Sequence, residues 1–250
     1  MRSLIRAGEQ TAYIALDVAD LVAGSSVRLE PGLERLLVML SGSVRVDTND
    51  GDLGVAGGRD DVFQGAADAV YLPPAAAASL TAGDDGCSVV IASAAAGSSP
   101  AGAARIIPAA TQAEASAGRD LWRRTVRTIL GPGDAASRLI AGETIHPDGG
   151  TWSSFPPHRH DRDSADEVRL EEVYYYRVQP SDGFGVQVRY DTDTGEHQAT
   201  VVRDGDAAAI TSGFHPVGAA PGCRLYYLWV MAGESREVRP YIDPRYRGLM

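Results

Sequence analysis

Short apolar and β-branched runs, each closed by turn residues, set the rhythm of the chain. In the first hundred residues they are SSVRLEP, ERLLVMLSGSVRVDT, DDVFQ, AVYLPP, AASLTA and CSVVIASA. Gly42, Asn49-Asp50-Gly51 and Gly57-Gly58 punctuate them. Runs of this composition between Gly, Pro, Asn and Asp read as strands. The Ala run 75–78 could open a helix, but it follows Pro73-Pro74 and leads straight into another strand pattern. The rhythm returns in the second half with RLIAGETIHPDG, EEVYYYR, FGVQVRYD, QATVVRDGDAAAIT and CRLYYLWVMAG. Many short strands with regular turns predict an all-β chain of sandwich or barrel type.

The stretch GSSPAGAARIIPAATQAEASAGRD, residues 97–120, breaks the rhythm with small residues and Pro and reads as a connection. The predicted organisation is a first β-unit over residues 1–105, a connection over 106–130 and a second β-unit over 131–250. LWRRTVRTILGP, after the connection, reads as a strand or short helix. Its Arg123, Arg124 and Arg127 are either solvated or include a group that binds a carboxylate, for which the planar guanidinium is suited.

Composition narrows the function classes. The chain has 250 residues, is 44% hydrophobic and carries a net charge of −10. That charge argues against nucleic acid and against an anionic membrane surface as partners. All 23 basic residues are Arg. A Schiff-base lysine and a phosphate-loop lysine are therefore excluded. Cys87 and Cys223 are far apart with no CxxC, which fits a reducing compartment. The N-terminus has no apolar signal core, and no run approaches the ~18 apolar residues of a membrane span. A soluble cytoplasmic protein is expected.

The chemistry concentrates in TWSSFPPHRHDRDSADEVRLEEVYYYR, residues 151–177. His158 and His160 stand at i and i+2, so on an extended segment both point to one face. Pro156 and Pro157 hold the approach extended. Glu172 opens a β-rich run, and His215 follows a Gly205-Asp206 turn, an apolar strand and a bend at Gly213. Nitrogen donors with a carboxylate and no cysteine suit Zn, Mn, Fe, Co or Ni, with zinc placed first. His146 and His197 lack such company and read as loop or turn residues. The first half contains no histidine, so its expected role is packing and dimerisation.

HxH, a later Glu and a G-D…G-x-H segment resemble the two metal-binding motifs of the cupin superfamily. The segments GGRDDVFQGAADAVYLPP, GGTWSSFPPHRHD, LEEVYYYRV, GFGVQVRY, VVRDGD, GFHPVGAAPG and YYLWVMAG resemble the 5-deoxy-glucuronate isomerases of myo-inositol catabolism. The 4-deoxy-5-hexosulose-uronate ketol-isomerases of pectin breakdown are more distantly similar. The resemblance implies a tandem cupin (bicupin) with two jelly-roll barrels, of which the first lacks metal ligands. It implies a metal-dependent aldose–ketose isomerase that converts 5-deoxy-D-glucuronate to 2-deoxy-5-keto-D-gluconate. The implied metal ligands are His158, His160, Glu172 and His215, with Glu171 facing away.

The chain departs from the resemblance in three places. Eleven residues, DRDSADEVRLE, separate His160 from Glu172, where the generic cupin motif has only a few. They read as an acidic, exposed loop. Thr211-Ser212 stand where the family shows Pro-Arg, and Trp229 where it shows Asn. On the strand after Glu172, Tyr174 and Tyr176 share the ligand's face and are candidate catalytic hydroxyls or, equally, core aromatics. Gln187 and Arg189 share a face of their own strand; if it points inward, Arg189 is a candidate for the uronate carboxylate. Alternative readings are the ketol-isomerase, an Fe(II) dioxygenase on the same ligands, and a non-catalytic sugar-binding cupin. The expected partners are a small uronic acid and a second copy in a homodimer.

Overall fold

A computed structural model describes residues 1–249. Among the described residues the regular structure is β, with helix confined to three short 3-10 turns at 109–111, 120–122 and 244–249. No helix among the described residues is long and apolar enough to cross a membrane. It divides into two compact units, neither continuous in sequence. Unit 1 comprises Met1–Ala113, Ile129–Ala141 and Ala232–Arg236; unit 2 comprises Glu114–Thr128, Gly142–Met231 and Glu237–Met250.

Unit 1 contains β1 (Arg2–Ile5), β2 (Ile14–Leu21), β3 (Ser26–Leu29), β4 (Glu34–Thr48), β5 (Gly51–Arg59), β6 (Ala69–Leu72), β7 (Ala78–Ala94) and β8 (Arg105–Ile107). They hydrogen-bond in the order β1-β2-β7-β4-β6-β8, with β3 on β7 and β5 on β4. The two long strands pair antiparallel along both of their halves, from Glu34 opposite Ala94 to Thr48 opposite Ala78. Their register shifts around Ser41–Val44. Gly42 sits there at φ 69°, and a Cβ on it would lie 2.1 Å from the Gly86 carbonyl oxygen. Only glycine allows the two backbones this close at that φ. The interior is aliphatic: Leu37, Met39, Val44, Val70, Leu80 and Ile91 are buried in one cluster.

The segment 129–141 belongs to unit 1 because of a buried carboxylate at the head of β4. Glu34, fully buried, accepts hydrogen bonds from the backbone N–H groups of Ser137, Arg138 and Leu139 and from the Tyr71 hydroxyl. Arg138 answers by donating to the carbonyls of Ala95, Ala96 and Gly233 at 2.7–3.2 Å. Arg236 donates to those of Leu139, Pro132 and Gly131. A buried charge is tolerated when hydrogen bonds replace its water, and these carry residues 129–141 and 232–236 onto the unit.

Unit 2 contains all or most of β9 (Ala113–Ala117), β10 (Arg124–Leu130), β11 (Ile140–His146), β12 (Trp152–Ser153), β13 (His158–Arg159), β14 (Glu171–Gln179), β15 (Gly185–Tyr190), β16 (His197–Val202), β17 (Ala207–Ile210), β18 (Val217–Ala219), β19 (Arg224–Ala232) and β20 (Tyr241–Ile242), of which β9, β10, β11 and β19 each have one or two end residues in unit 1. Six strands form a sheet in the order β17-β14-β19-β11-β10-β9, four form another in the order β12-β18-β15-β16, and β13 pairs with β20.

The all-β expectation holds, and β4 spans the whole run ERLLVMLSGSVRVDT. DDVFQ is not a strand: it is a turn, in which the Asp61 carboxylate accepts the Phe63 N–H at 2.7 Å. Asp competes for the local backbone and so breaks the ladder. The 97–120 stretch holds β8, β9 and a 3-10 turn rather than a bare connection. LWRRTVRTILGP opens with a 3-10 turn and continues as β10, a strand.

Candidate metal centre and its cavity

The histidine pair is delivered by backbone pairing. His158 lies on β13, opposite Ile242 of β20. His160 follows it, and its carbonyl accepts the Leu170 N–H at 2.7 Å. The Leu170 carbonyl accepts in return from Nδ1 of His160 at 2.8 Å. The loop 161–169 therefore closes on itself, and β14 brings Glu172 back beside His160 whatever the intervening length.

The loop is only partly exposed, contrary to expectation. Glu167 is 2% exposed, accepts from Arg159 Nε at 3.1 Å and takes the Asp161 N–H at 2.7 Å. Val168 and Leu170 are also buried. A paired carboxylate and two apolar side chains anchor one end, while residues 162–166 stay exposed.

Asp161 links this loop to the third histidine. Its carboxylate accepts the Gly213 N–H at 2.6 Å, and the Gly213 carbonyl accepts from Nδ1 of His215 at 3.0 Å. The ligand nitrogens of His158, His160 and His215 lie within 4.8 Å of one another. Oε2 of Glu172 stands 3.2 Å from Nε2 of both His160 and His215. The structure thus brings together all four residues read as ligands.

The donor set fits a metal ion. His160 and His215 commit Nδ1–H to a backbone carbonyl, which turns Nε2 inward as an acceptor. Glu172 is an acceptor as well. Two acceptors at 3.2 Å need a proton or a cation between them. Nε2 of His215 is fully buried and has no hydrogen-bond partner. Two donors each about 2.0–2.1 Å from one ion at a tetrahedral angle stand roughly 3.3 Å apart. Burial, then the neighbouring His215 and His160, pushes His158 down to about 3, so its nitrogen is free to ligate at neutral pH. Burial opposes charge on Glu172, but the adjacent His160 and His215 imidazoles outweigh it and hold the carboxyl at about 2.

Beside these residues lies a cavity of about 160 Å³. His158, His160 and Glu172 line one part of it, with Tyr174, Tyr227, Ser153, Ser154 and Thr144 adding hydroxyls. Ser154 bonds the Tyr174 hydroxyl at 2.9 Å, and Ser153 bonds that of Tyr227. Val126, Trp229 and Met231 supply apolar surface. Gly142 makes room for the indole: a Cβ there would meet Trp229 at 2.2 Å. Thr211 and Ser212 are exposed and do not line the cavity.

The other site expectations divide. Tyr174 reaches the cavity; Tyr176 and Arg189 do not. The Tyr176 hydroxyl donates to Gln187 at 2.7 Å, and Gln187 donates to the His215 carbonyl at 2.8 Å, so Tyr176 braces the His215 backbone. Arg189 donates to Gln198 on β16 in an exposed position. Among the three arginines of LWRRTVRTILGP, Arg124 lines the cavity. Arg123 and Arg127 pair with Asp148 and Glu114. His146 is not in a loop. It ends β11, fully buried, with Nδ1 3.1 and 3.0 Å from the carbonyl and hydroxyl oxygens of Thr151. His197 likewise begins β16 and stacks on Tyr190. Tyr227 and Ser154 escaped the sequence reading; the only signal was the proximity of Ser154 to the HxH pair.

The chain matches the KduI/IolB family over residues 3–249. It is 31% identical over 241 residues to the 5-deoxy-glucuronate isomerase of Bacillus subtilis (strain 168), covering 95% of this chain and 88% of that protein. It is 34% identical over 241 residues to the enzyme of the same name from Geobacillus kaustophilus, covering 95% and 86%. Among solved structures, an IolB-like protein from Salmonella typhimurium LT2 superposes with a TM-score of 0.93 at 29% identity, covering 99% of this chain and 94% of that one. An oxalate decarboxylase from Lactobacillus farciminis reaches a TM-score of 0.68 at 11% identity, covering 96% and 82%, and shares the fold alone. The fold is the tandem cupin that the motifs implied, and the chain belongs to the KduI/IolB family.

Proposed function

We propose that this protein is a metal-dependent aldose–ketose isomerase that converts 5-deoxy-D-glucuronate to 2-deoxy-5-keto-D-gluconate. The observation that carries the reading is the convergence of three histidine nitrogens and the Glu172 carboxylate, of which His158, His160 and Glu172 line a cavity rich in hydroxyls. The relatives of similar length carry the name 5-deoxy-glucuronate isomerase.

His158, His160, Glu172 and His215 would hold the ion, for which zinc is proposed and Mn, Fe, Co or Ni share the donor preference. When bound, a divalent ion supplies Lewis-acid polarisation of a carbonyl and stabilises charge on the oxygens beside it. The reaction moves one proton between adjacent carbons and another between their oxygens. Burial raises the phenols of Tyr174 and Tyr227 above their ordinary range, so both remain proton donors. Each is fixed in direction by a serine hydroxyl and donates toward oxygens on which charge develops. Val126, Trp229 and Met231 exclude water, which strengthens those hydrogen bonds. Tyr176 acts through Gln187 on the His215 backbone and is a positioning residue.

A homodimer in the cytoplasm belongs to the same reading. Both cysteines are free and buried. Strand β16, at the end of its sheet, exposes five of its six residues and offers an unpaired edge. Light scattering reads the oligomer directly: twice the chain mass is expected.

The deciding experiment measures metal content, then turnover of 5-deoxy-glucuronate before and after chelation. Stoichiometric metal and chelator-sensitive isomerisation are expected. His160→Ala should remain folded and lose both. A folded, metal-free H160A variant with full activity would sink the proposal. Metal without turnover would move the substrate, and 4-deoxy-5-hexosulose-uronate would be tested next.

A further inference from the structure

We infer that Arg124 recognises the carboxylate end of the sugar acid and sets the preference of the cavity for a uronate over a neutral sugar. The inference rests on the isomerase reading and names the group that selects its substrate class.

Arg124 is the one cationic side chain among the described residues lining the cavity of the histidine cluster. It is half-buried. Its Nη1 donates to the carbonyls of Trp122 at 3.1 Å and Phe155 at 3.2 Å. No carboxylate among the described residues pairs with it. Three other buried or half-buried arginines of unit 2 differ: Arg159 meets Glu167, Arg177 meets Asp204 and Arg127 meets Glu114; Arg189 and Arg224 bond the amides of Gln198 and Gln179 and do not line the cavity. Two carbonyl bonds fix the guanidinium through one nitrogen and leave Nε and Nη2 for a ligand. A partly desolvated cation without a counter-ion is costly, and an arriving anion removes that cost. The planar fork suits a bidentate carboxylate.

The backbone beside it points the same way. Ser154 has φ 48°, in the left-handed region that a serine rarely adopts. Such strain persists only where the surrounding structure enforces it, and it gathers at binding sites. Here the turn does two things. It directs the Ser154 hydroxyl to the cavity and to Tyr174. It also sets the next residue, Phe155, so that its carbonyl holds Arg124. Tyr227 stands within the field of the same guanidinium: burial raises its phenol, and Arg124 works against that rise. The Arg124 cation, a phenol and serine hydroxyls thus share a cavity with the histidine cluster. That arrangement fits a polyhydroxy acid whose reacting end meets the histidines and whose carboxylate meets Arg124.

The test compares metal-loaded wild type, Arg124→Gln and Arg124→Lys on 5-deoxy-glucuronate and on the analogue in which the carboxylate is reduced to an alcohol. Wild type should prefer the acid in kcat/KM by on the order of 100-fold, the size expected for truncating one partner of a desolvated charge pair. In R124Q the ratio of the two kcat/KM values should collapse toward one, chiefly through KM for the acid. R124K, which keeps the charge without the fork, should lie between. Metal content should match wild type in both variants. An R124Q variant that retains the wild-type ratio, or that loses activity equally on both compounds, overturns the inference. If wild type does not isomerise the acid at all, the isomerase reading fails separately. Calorimetry of D-glucuronate against D-glucose then decides: a preference for the acid lost in R124Q upholds the role of Arg124, and no preference overturns it.

Discussion

Inside unit 1, aliphatic side chains such as Leu37, Met39, Val44 and Leu80 occupy the space between the strands. Inside unit 2, Tyr174, Tyr176 and Tyr227 take part in the buried cluster, and a cavity lined by His158, His160 and Glu172 remains. Both units are made of β-strands with tight glycine contacts, Gly42 against Gly86 in one and Gly142 against Trp229 in the other. The difference is what the inward positions carry. Aliphatic side chains in good rotamers fill a β-interior to crystal-like density and leave nothing to ligate. Phenols and imidazoles need hydrogen-bond partners, so they pack less completely and keep polar surface for a ligand. The comparison teaches that one scaffold supports stability or chemistry according to its inward residues.

Four substitutions would sharpen or break that contrast, beyond the arginine test above. The largest effect is expected for His160→Ala: loss of metal retention and a fall in turnover of at least about 10³-fold, since ion and polarisation go together. The core of unit 1 lies outside this ligand set, so urea unfolding monitored there should barely change. Leu37→Ala should do the reverse. It removes a fully buried side chain and should cost about 2–5 kcal/mol of stability, with metal content per folded chain preserved. Loss of metal in the folded L37A protein would show the two interiors to be coupled.

Asp161→Ala tests the hydrogen-bond line from loop 161–169 through Gly213 to His215. Partners that orient a ligand typically matter by about 10–100-fold in metal affinity. A competition titration with a fluorescent chelator reads that loss, and an unchanged affinity would make Asp161 a loop anchor only.

The smallest effect is a pH dependence at Asp243, which is fully buried. Burial opposes its charge, but hydrogen bonds from Arg245 and Tyr190 outweigh it and hold its pKa below the ordinary value. A depressed carboxyl contributes stability above its unfolded pKa of about 4 and loses it as pH falls through the folded value. Thermal unfolding of wild type and Asp243→Asn should therefore converge below about pH 4. Parallel curves would remove Asp243 from the acid sensitivity of the fold.

Much of this organisation was legible in residue order. Strand β4 follows its apolar run from Glu34 to Thr48, because a long pattern bounded by turn residues leaves little choice of register. The pairing of His158 and His160 was legible because HxH on an extended segment shares a face by geometry alone. Other features were not. DDVFQ carries β-forming Val and Phe, yet the Asp61 carboxylate captures the local backbone. His146, without neighbours of like chemistry, gave no hint of its burial on β11. Arg189 and Arg124 are equally good carboxylate binders as residue types, and only the packing brings Arg124 to the cavity and leaves Arg189 bonded to Gln198 away from it.

By itself the sequence determined the β-class of the chain, the absence of lysine chemistry and the supply of imidazole and carboxylate groups, because these depend on periodicity and side-chain type. Tertiary structure decided the rest. It chose the arginine that lines the cavity, the phenol that brings its hydroxyl there, and how loop 161–169 returns Glu172 to His160. It also assigned segments 129–141 and 232–236 to unit 1. Each of these depends on which distant backbone groups meet, through the Leu170, Phe155 and Gly233 carbonyls or the Glu34 carboxylate. Contacts that span from 10 to 104 residues leave no periodic trace in the chain that makes them.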